Sequence, residues 1–158
     1  MRCTLLAALL FSALPASATL AFTLTPAVQT GQPGSSITFS GTLQNNGLAD
    51  LFLNDLTIAF TPPAGTYLTE DHNFFFANVP GVLLSGESYI GPIFQLLVAP
   101  GTPPGTYMAV VTLQGGSDPF ALDPLAISGL TVLVAPEPGT LAFMLTGLSV
   151  LILAQRNV

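Results

Sequence analysis

Between residues 19 and 134 the chain contains no lysine and no arginine; Arg2 and Arg156, at the extreme ends, are its only strongly basic residues. Phosphate recognition draws its affinity from such cations, so nucleic-acid binding is excluded, and a polybasic patch for anionic lipid is excluded with it. Tryptophan is absent, which weakens any case for an aromatic platform under a sugar ring. The single cysteine, Cys3, precedes the first apolar segment, whereas a lipidated cysteine would follow it. The rest of the chain therefore has no disulfide, no thiolate nucleophile and no cysteine metal ligand. Charged residues of either sign make up only 6% of the 158 positions, against about a quarter in an average globular protein.

These shortages also bear on catalysis. A Ser-His-Asp arrangement would have to use His72, the only histidine, and no Gly-x-Ser-x-Gly elbow accompanies it. No cationic side chain is available to steady an oxyanion or phosphate. A carboxylate pair for glycoside cleavage would need a cleft that so small a domain has little room for. The expectation is a protein that is not an enzyme, with no cofactor.

What is present falls into three segments. Met1-Arg2 and the apolar residues 4–14 are followed by Pro15 and by Ala16-Ser17-Ala18. This is the order of a positive n-region, an apolar h-region and the small-x-small site that signal peptidase accepts. Residues 1–18 are expected to be a signal peptide cut after Ala18, with Ala21 as the alternative.

Residues 19–134 show period-2 alternation in short runs separated by Gly, Pro, Asn and Asp clusters, with no sustained helical period. In 36–43, Ile37, Phe39 and Leu43 face one way, while Thr38, Ser40 and Thr42 face the other. Asn45-Asn46-Gly47 follows as a turn. Further strands are expected at 20–24, 51–60, 90–98, 107–113 and 125–134, with a weak one near 74–79. About seven short strands in a domain of this size point to a single immunoglobulin-like antiparallel sandwich, an open barrel or jelly roll being the alternative. The Pro-Pro-Ala-Gly-Thr-Tyr of 62–67 and the Pro-Pro-Gly-Thr-Tyr of 103–107 both read as turns launching a strand. Residues 85–89 followed by 99–107 resemble the penultimate strands of bacterial Ig-like surface modules.

Candidate sites in this segment are few. Glu70-Asp71-His72-Asn73 is its most polar patch; without an Asp-x-Asp-x-Asp-Gly spacing it reads as a solvated loop, and no metal is expected. Phe74-Phe75-Phe76 reads as core filling with one ring left outside. Asp118-Pro119 and Asp123-Pro124 read as turn starters. With acids as its only charged residues and no lysine to guard its edge strands, the domain is expected to self-associate weakly along them.

The third segment, 135–158, opens on Pro136-Glu137-Pro138, continues through the apolar residues 139–154 and closes on Gln155-Arg156-Asn157-Val158. The two prolines impose an extended linker. Residues 139–154 would form a transmembrane helix of about 24 Å, short against a hydrocarbon core of about 30 Å. Arg156 favours a cytoplasmic end, leaving the β domain outside. In this order the features resemble the PEP-CTERM sorting signals of Gram-negative bacteria that make extracellular polysaccharide, although the tail ends on a single basic residue where the family usually carries several. The resemblance implies an exosortase reading Pro136, Glu137 and Pro138 while 139–154 sits in membrane lipid. It further implies delivery to the cell surface or extracellular matrix, where a matrix polysaccharide is a candidate partner. The competing expectation is a membrane-anchored module that binds a glycan or another protein.

Overall fold

The computed structural model describes residues 20–136; the expected signal peptide with Ala16 and Ala18, the apolar run 139–154 and Arg156 lie outside them. Eleven elements follow one another: β1 (Leu20–Leu24), β2 (Val28–Gly31), β3 (Ser36–Asn45), β4 (Leu51–Phe60), α1 (Ala64–Tyr67), β5 (Leu68–Asp71), α2 (His72–Asn78), β6 (Val82–Leu83), β7 (Ser88–Val98), β8 (Gly105–Gly116) and β9 (Asp123–Val134). They form a four-stranded sheet, β1-β3-β7-β5, packed on a five-stranded sheet, β2-β9-β8-β4-β6. All pairings are antiparallel except that of β2 with β9. The first strand is thus split, β1 joining one sheet and β2 the other, in the strand order of an immunoglobulin-like sandwich. No helix among the described residues is long and apolar enough to cross a membrane.

Alternation along each long strand builds the core. Ile37, Phe39 and Leu43 of β3 face inward, as do Tyr107, Ala109, Val111 and Leu113 of β8 and Leu130, Val132 and Val134 of β9. At its centre Phe39 and Phe94, opposite each other on β3 and β7, stack with centroids 5.0 Å apart and an interplanar angle of 13°.

Two bulges explain runs that break the alternation. On β7 the register shifts opposite Phe39/Ser40, so that the consecutive residues Ile93 and Phe94 are both fully buried. Pro92, with no N–H to donate, sits next to this irregularity, beyond the reach of β5, whose pairing with β7 stops at Gln95. On β4 the register shifts between Leu53 and Asp55. Leu51 and Leu53 point inward before the shift, and Leu56 after it. The near-continuous apolar run of 51–60 is one strand changing phase.

The structure corrects four expectations. Nine strands stand among the described residues where about seven were expected, the additional ones being the short β2, β5 and β6. The weak strand near 74–79 is instead the helix α2. Its helical logic is the spacing of Phe75 and Val79, four apart and both buried, with His72 and Phe76 on a neighbouring stripe. The stretch 62–67 closes in the single helical turn α1 before β5 begins, whereas 103–107 launches β8 directly. Finally, the strand expected at 107–113 is longer: β8 runs from Gly105 on through Gly116. Gly115 lies so close to the Phe52 carbonyl of β4 that a Cβ there would collide with it.

Candidate functional site

The polar patch 70–73 is built where the two sheets meet. Glu70 lies on β5 of the four-stranded sheet and Asp55 on β4 of the five-stranded one, just past the bulge. Because β6 pairs with β4 only at Leu51 and Phe52, the following part of β4 has one side open; α2 packs chiefly against β7 of the other sheet and touches β4 there. His72, the first residue of α2, stands between the two acids: Nε2 is 3.4 Å from Asp55 Oδ1 and Nδ1 is 3.7 Å from Glu70 Oε1. Its ring also meets Phe76 edge-on, with centroids 5.2 Å apart.

The patch is therefore not a loop, since Glu70 and Asp71 end β5 and His72 and Asn73 open α2, although the latter two are solvent-exposed as expected. Glu70 is half-buried, and its Oε1 has no hydrogen-bond partner; the His72 separation is too long to be one. Burial pushes the Glu70 carboxyl above its ordinary 4.5, with His72 drawing it part of the way back. Asp55 Oδ1 is already engaged by the Leu56 N–H at 2.7 Å. The geometry brings one imidazole between two carboxylates that come from different sheets. Among the described residues, no group of three or more His, Cys, Asp and Glu is placed to hold a metal ion.

Phe74, Phe75 and Phe76 take three different environments. Phe75 fills the core, Phe74 is half-buried and Phe76 is exposed. One ring does stay outside, though on a helix, where it packs on Phe75 and His72. Asp118 turns the chain by accepting the Phe120 N–H at 2.9 Å, while Asp123 opens β9.

Two structural centres escaped the sequence reading. Asn45, expected in a turn, is the fully buried last residue of β3. Its Nδ2 donates to the carbonyls of Ala49 (2.8 Å), Leu83 (3.0 Å) and Leu84 (3.2 Å), and its Oδ1 accepts the Gly47 N–H at 2.9 Å. The other is Tyr107, near the start of β8, whose buried hydroxyl donates to the Pro103 carbonyl at 2.7 Å. This tyrosine corner belongs to the sandwich architecture, and Pro-Pro-Gly-Thr-Tyr was its signal. Burial, reinforced by Tyr67, raises the phenol's pKa. Tyr67 from the matching Pro-Pro stretch meets Tyr107 edge-on at 5.7 Å, so the near-repeat is a contact in space.

Of the sorting-motif residues, Pro136 is described: it is exposed, two positions past the end of β9. Glu137 and Pro138 lie outside the described residues. Strand direction puts this exit at the end of the sandwich opposite the β3–β4 and β8–β9 loops, since Val134 pairs with Gly105 and Asp123 with Gly115. Leu48 and Phe120, each 88% exposed, lie in those distal loops.

No family model matches this chain, and no curated protein matches its sequence. Solved structures similar in shape are β domains of diverse context. WR4, a Caenorhabditis elegans MSP family member, is 10% identical over 72% of this chain and 97% of its own, with a TM-score of 0.40. Domains 4 and 5 of the S-layer protein SbsC are 12% identical over 75% and 47%, with a TM-score of 0.42. The secreted serine protease VesC from Vibrio cholerae is 19% identical over 80% of this chain but only 25% of its own, with a TM-score of 0.45. Likeness at this level says nothing about what the chain binds or does.

Proposed function

We propose that this chain is an exported, non-enzymatic surface or matrix module whose C-terminal segment is a PEP-CTERM sorting signal read by an exosortase. The observation that carries the reading is the succession of Pro136-Glu137-Pro138, the apolar run 139–154 and Arg156, joined to the last strand through Ala135 alone. On this reading signal peptidase removes 1–18, membrane lipid holds 139–154, and the domain is released outside, at the cell surface or in the polymeric matrix. The exposed exit at Pro136, at the end remote from the β3–β4 loop, fits a module tethered by one pole with its loops directed away from the bilayer.

Replacing Pro136, Glu137 and Pro138 together by alanine in the exporting host tests it. The variant is expected to accumulate in the envelope as a longer chain than the wild type. Identical size and distribution of the two would remove the motif's role. A second reading, a tethered module that binds a glycan or a protein, is favoured by the exposed Leu48 and Phe120 of the distal loops; Phe120→Ser would then weaken binding while leaving sorting intact.

A further inference from the structure

The turn after β3 holds the one Asn-Gly pair of the chain, Asn46-Gly47; every other asparagine is followed by Asn, Asp, Phe or Val. Glycine has no Cβ to shield its backbone nitrogen, so that nitrogen, once it has lost its proton, can attack the side-chain amide of the residue before it. Asn46 is exposed, in the connection between β3 and β4, and water reaches its amide. Gly47 is held differently. Its N–H donates to Asn45 Oδ1 at 2.9 Å, and its carbonyl accepts the Ser85 hydroxyl at 2.8 Å. Asn45 is itself fully buried, its Nδ2 fixed by the carbonyls of Ala49, Leu83 and Leu84. The proton that must leave is therefore turned toward a buried side chain and away from the base that would take it.

We propose that Asn46 is a deamidation site gated by Asn45, reacting only when the Gly47 N–H leaves Asn45 Oδ1. In the open connection hydroxide takes the Gly47 proton and the nitrogen bonds to Asn46 Cγ. The Cγ–Nδ2 bond breaks, and ammonia departs with a proton returned by water. The succinimide so formed then takes up one water. Opening at Cγ gives aspartate; opening at the Asn46 backbone carbonyl gives isoaspartate, with the main chain now running through Cβ and Cγ.

Either product places a new carboxylate in the connection that carries Asp50, next to Glu87, whose backbone carbonyl accepts the Asn45 N–H. These two acids already hold the neighbouring loop, accepting the N–H groups of Ser85 and Leu84. No lysine or arginine lies between residues 19 and 134 to balance a further charge. Isoaspartate also lengthens the main chain ahead of Gly47, so the bond to Asn45 cannot re-form in its original geometry. The change is one-way, and it loosens the β3–β4 connection. It rests on the turn alone and stands whatever the route of export.

Hydrogen exchange at the Gly47 amide needs the same N–H to leave Asn45 and meet hydroxide, so the two processes share one local opening. The protein recovered from its exporting host is aged at mildly alkaline pH. Conversion of Asn46 is followed by peptide mapping that separates isoaspartate from aspartate, and Gly47 exchange is measured on the same preparation. The expected result is conversion mainly to isoaspartate, many-fold slower in the folded protein than in the chain held unfolded in urea. Asn45→Ala should speed both conversion and Gly47 exchange several-fold. Ser85→Ala, which frees the Gly47 carbonyl but leaves its N–H bonded, should change them less. If Asn45→Ala does not fold, sub-denaturing urea on the wild type makes the same comparison, and the two rates should climb together. Conversion as fast in the folded wild type as in the unfolded chain, conversion that does not follow Gly47 exchange, or aspartate without isoaspartate would overturn the proposal.

Discussion

The two sheets share an inner chemistry and divide on their outer one. Inward, both present close-packed aliphatic and aromatic side chains: Phe39 and Phe94 on one side, Leu56, Val111 and Val132 on the other, all essentially inaccessible. Outward, one shows the hydroxyl and amide groups of β3 interrupted by Ile90 and Leu97 of β7, and the other shows Met108, Val110, Ile127 and Leu133. The fold needs only the inner pattern, since alternation with one apolar face is enough to specify a half-buried strand. The outer pattern is therefore not dictated by the fold in the way the core is.

Substitution can separate the two roles. The largest effect belongs to the shared interior: Phe94→Ala, removing the ring stacked on Phe39, should destabilise by about 3–5 kcal/mol in a denaturant titration. Asn45→Ala comes next. It deletes the amide that ties the β3–β4 connection to the backbone at Leu83 and Leu84 and leaves buried carbonyls unpaired. A loss of about 2–3 kcal/mol is expected, with Gly47 and Leu84 among the first amides to lose protection from hydrogen exchange. Tyr107→Phe, which removes the hydroxyl bonded to Pro103 while keeping the ring, should cost about 1 kcal/mol. Val110→Ser, on the outward face, should fall within about 0.5 kcal/mol of wild type in stability. A large stability loss there would erase the distinction between the inner face, which the fold requires, and the outer one, which it does not.

The smallest effect is a matter of pH. The Glu70 carboxyl, facing His72, Asp55 and Asp71, has its pKa raised in the folded state, chiefly by burial. Folding therefore favours its protonated form, and the stability it contributes is fully present below the ordinary 4.5 and lost as pH rises through the higher folded value. Glu70→Gln keeps the shape without the charge. Its melting temperature should exceed that of the wild type at neutral pH, and the difference should shrink as pH falls toward 4. A difference independent of pH would mean that Glu70 is not the titrating group.

The long strands were legible because their signal is local. The alternation of Ile37, Phe39 and Leu43, of the odd positions 107–113, and of Leu130, Val132 and Val134 survives in the structure as written. What was not legible depends on partners distant in sequence. The short strands β2, β5 and β6 hold two to four residues each and exist because a longer neighbour offers them a ladder. The Phe74–Phe76 run favours a strand by propensity, but only the i, i+4 placement of Phe75 and Val79 lets α2 bury both side chains where it packs against β7. Glu70 and His72 are close in the chain and were read together. Asp55, their third member, comes from the other sheet, and only the bulge after Leu53 brings it there. The outward faces were hidden for a related reason: alternation shows which residues point out, and only strand order shows which of them lie side by side.

The central claim, an exported module released from its sorting tail, is tested most directly by the intact mass of the mature protein recovered from its host. The account predicts a chain that begins at Thr19 and ends near the Pro136-Glu137-Pro138 motif, without residues 139–158. A chain that still carries Val158, or one that retains Met1, would contradict it.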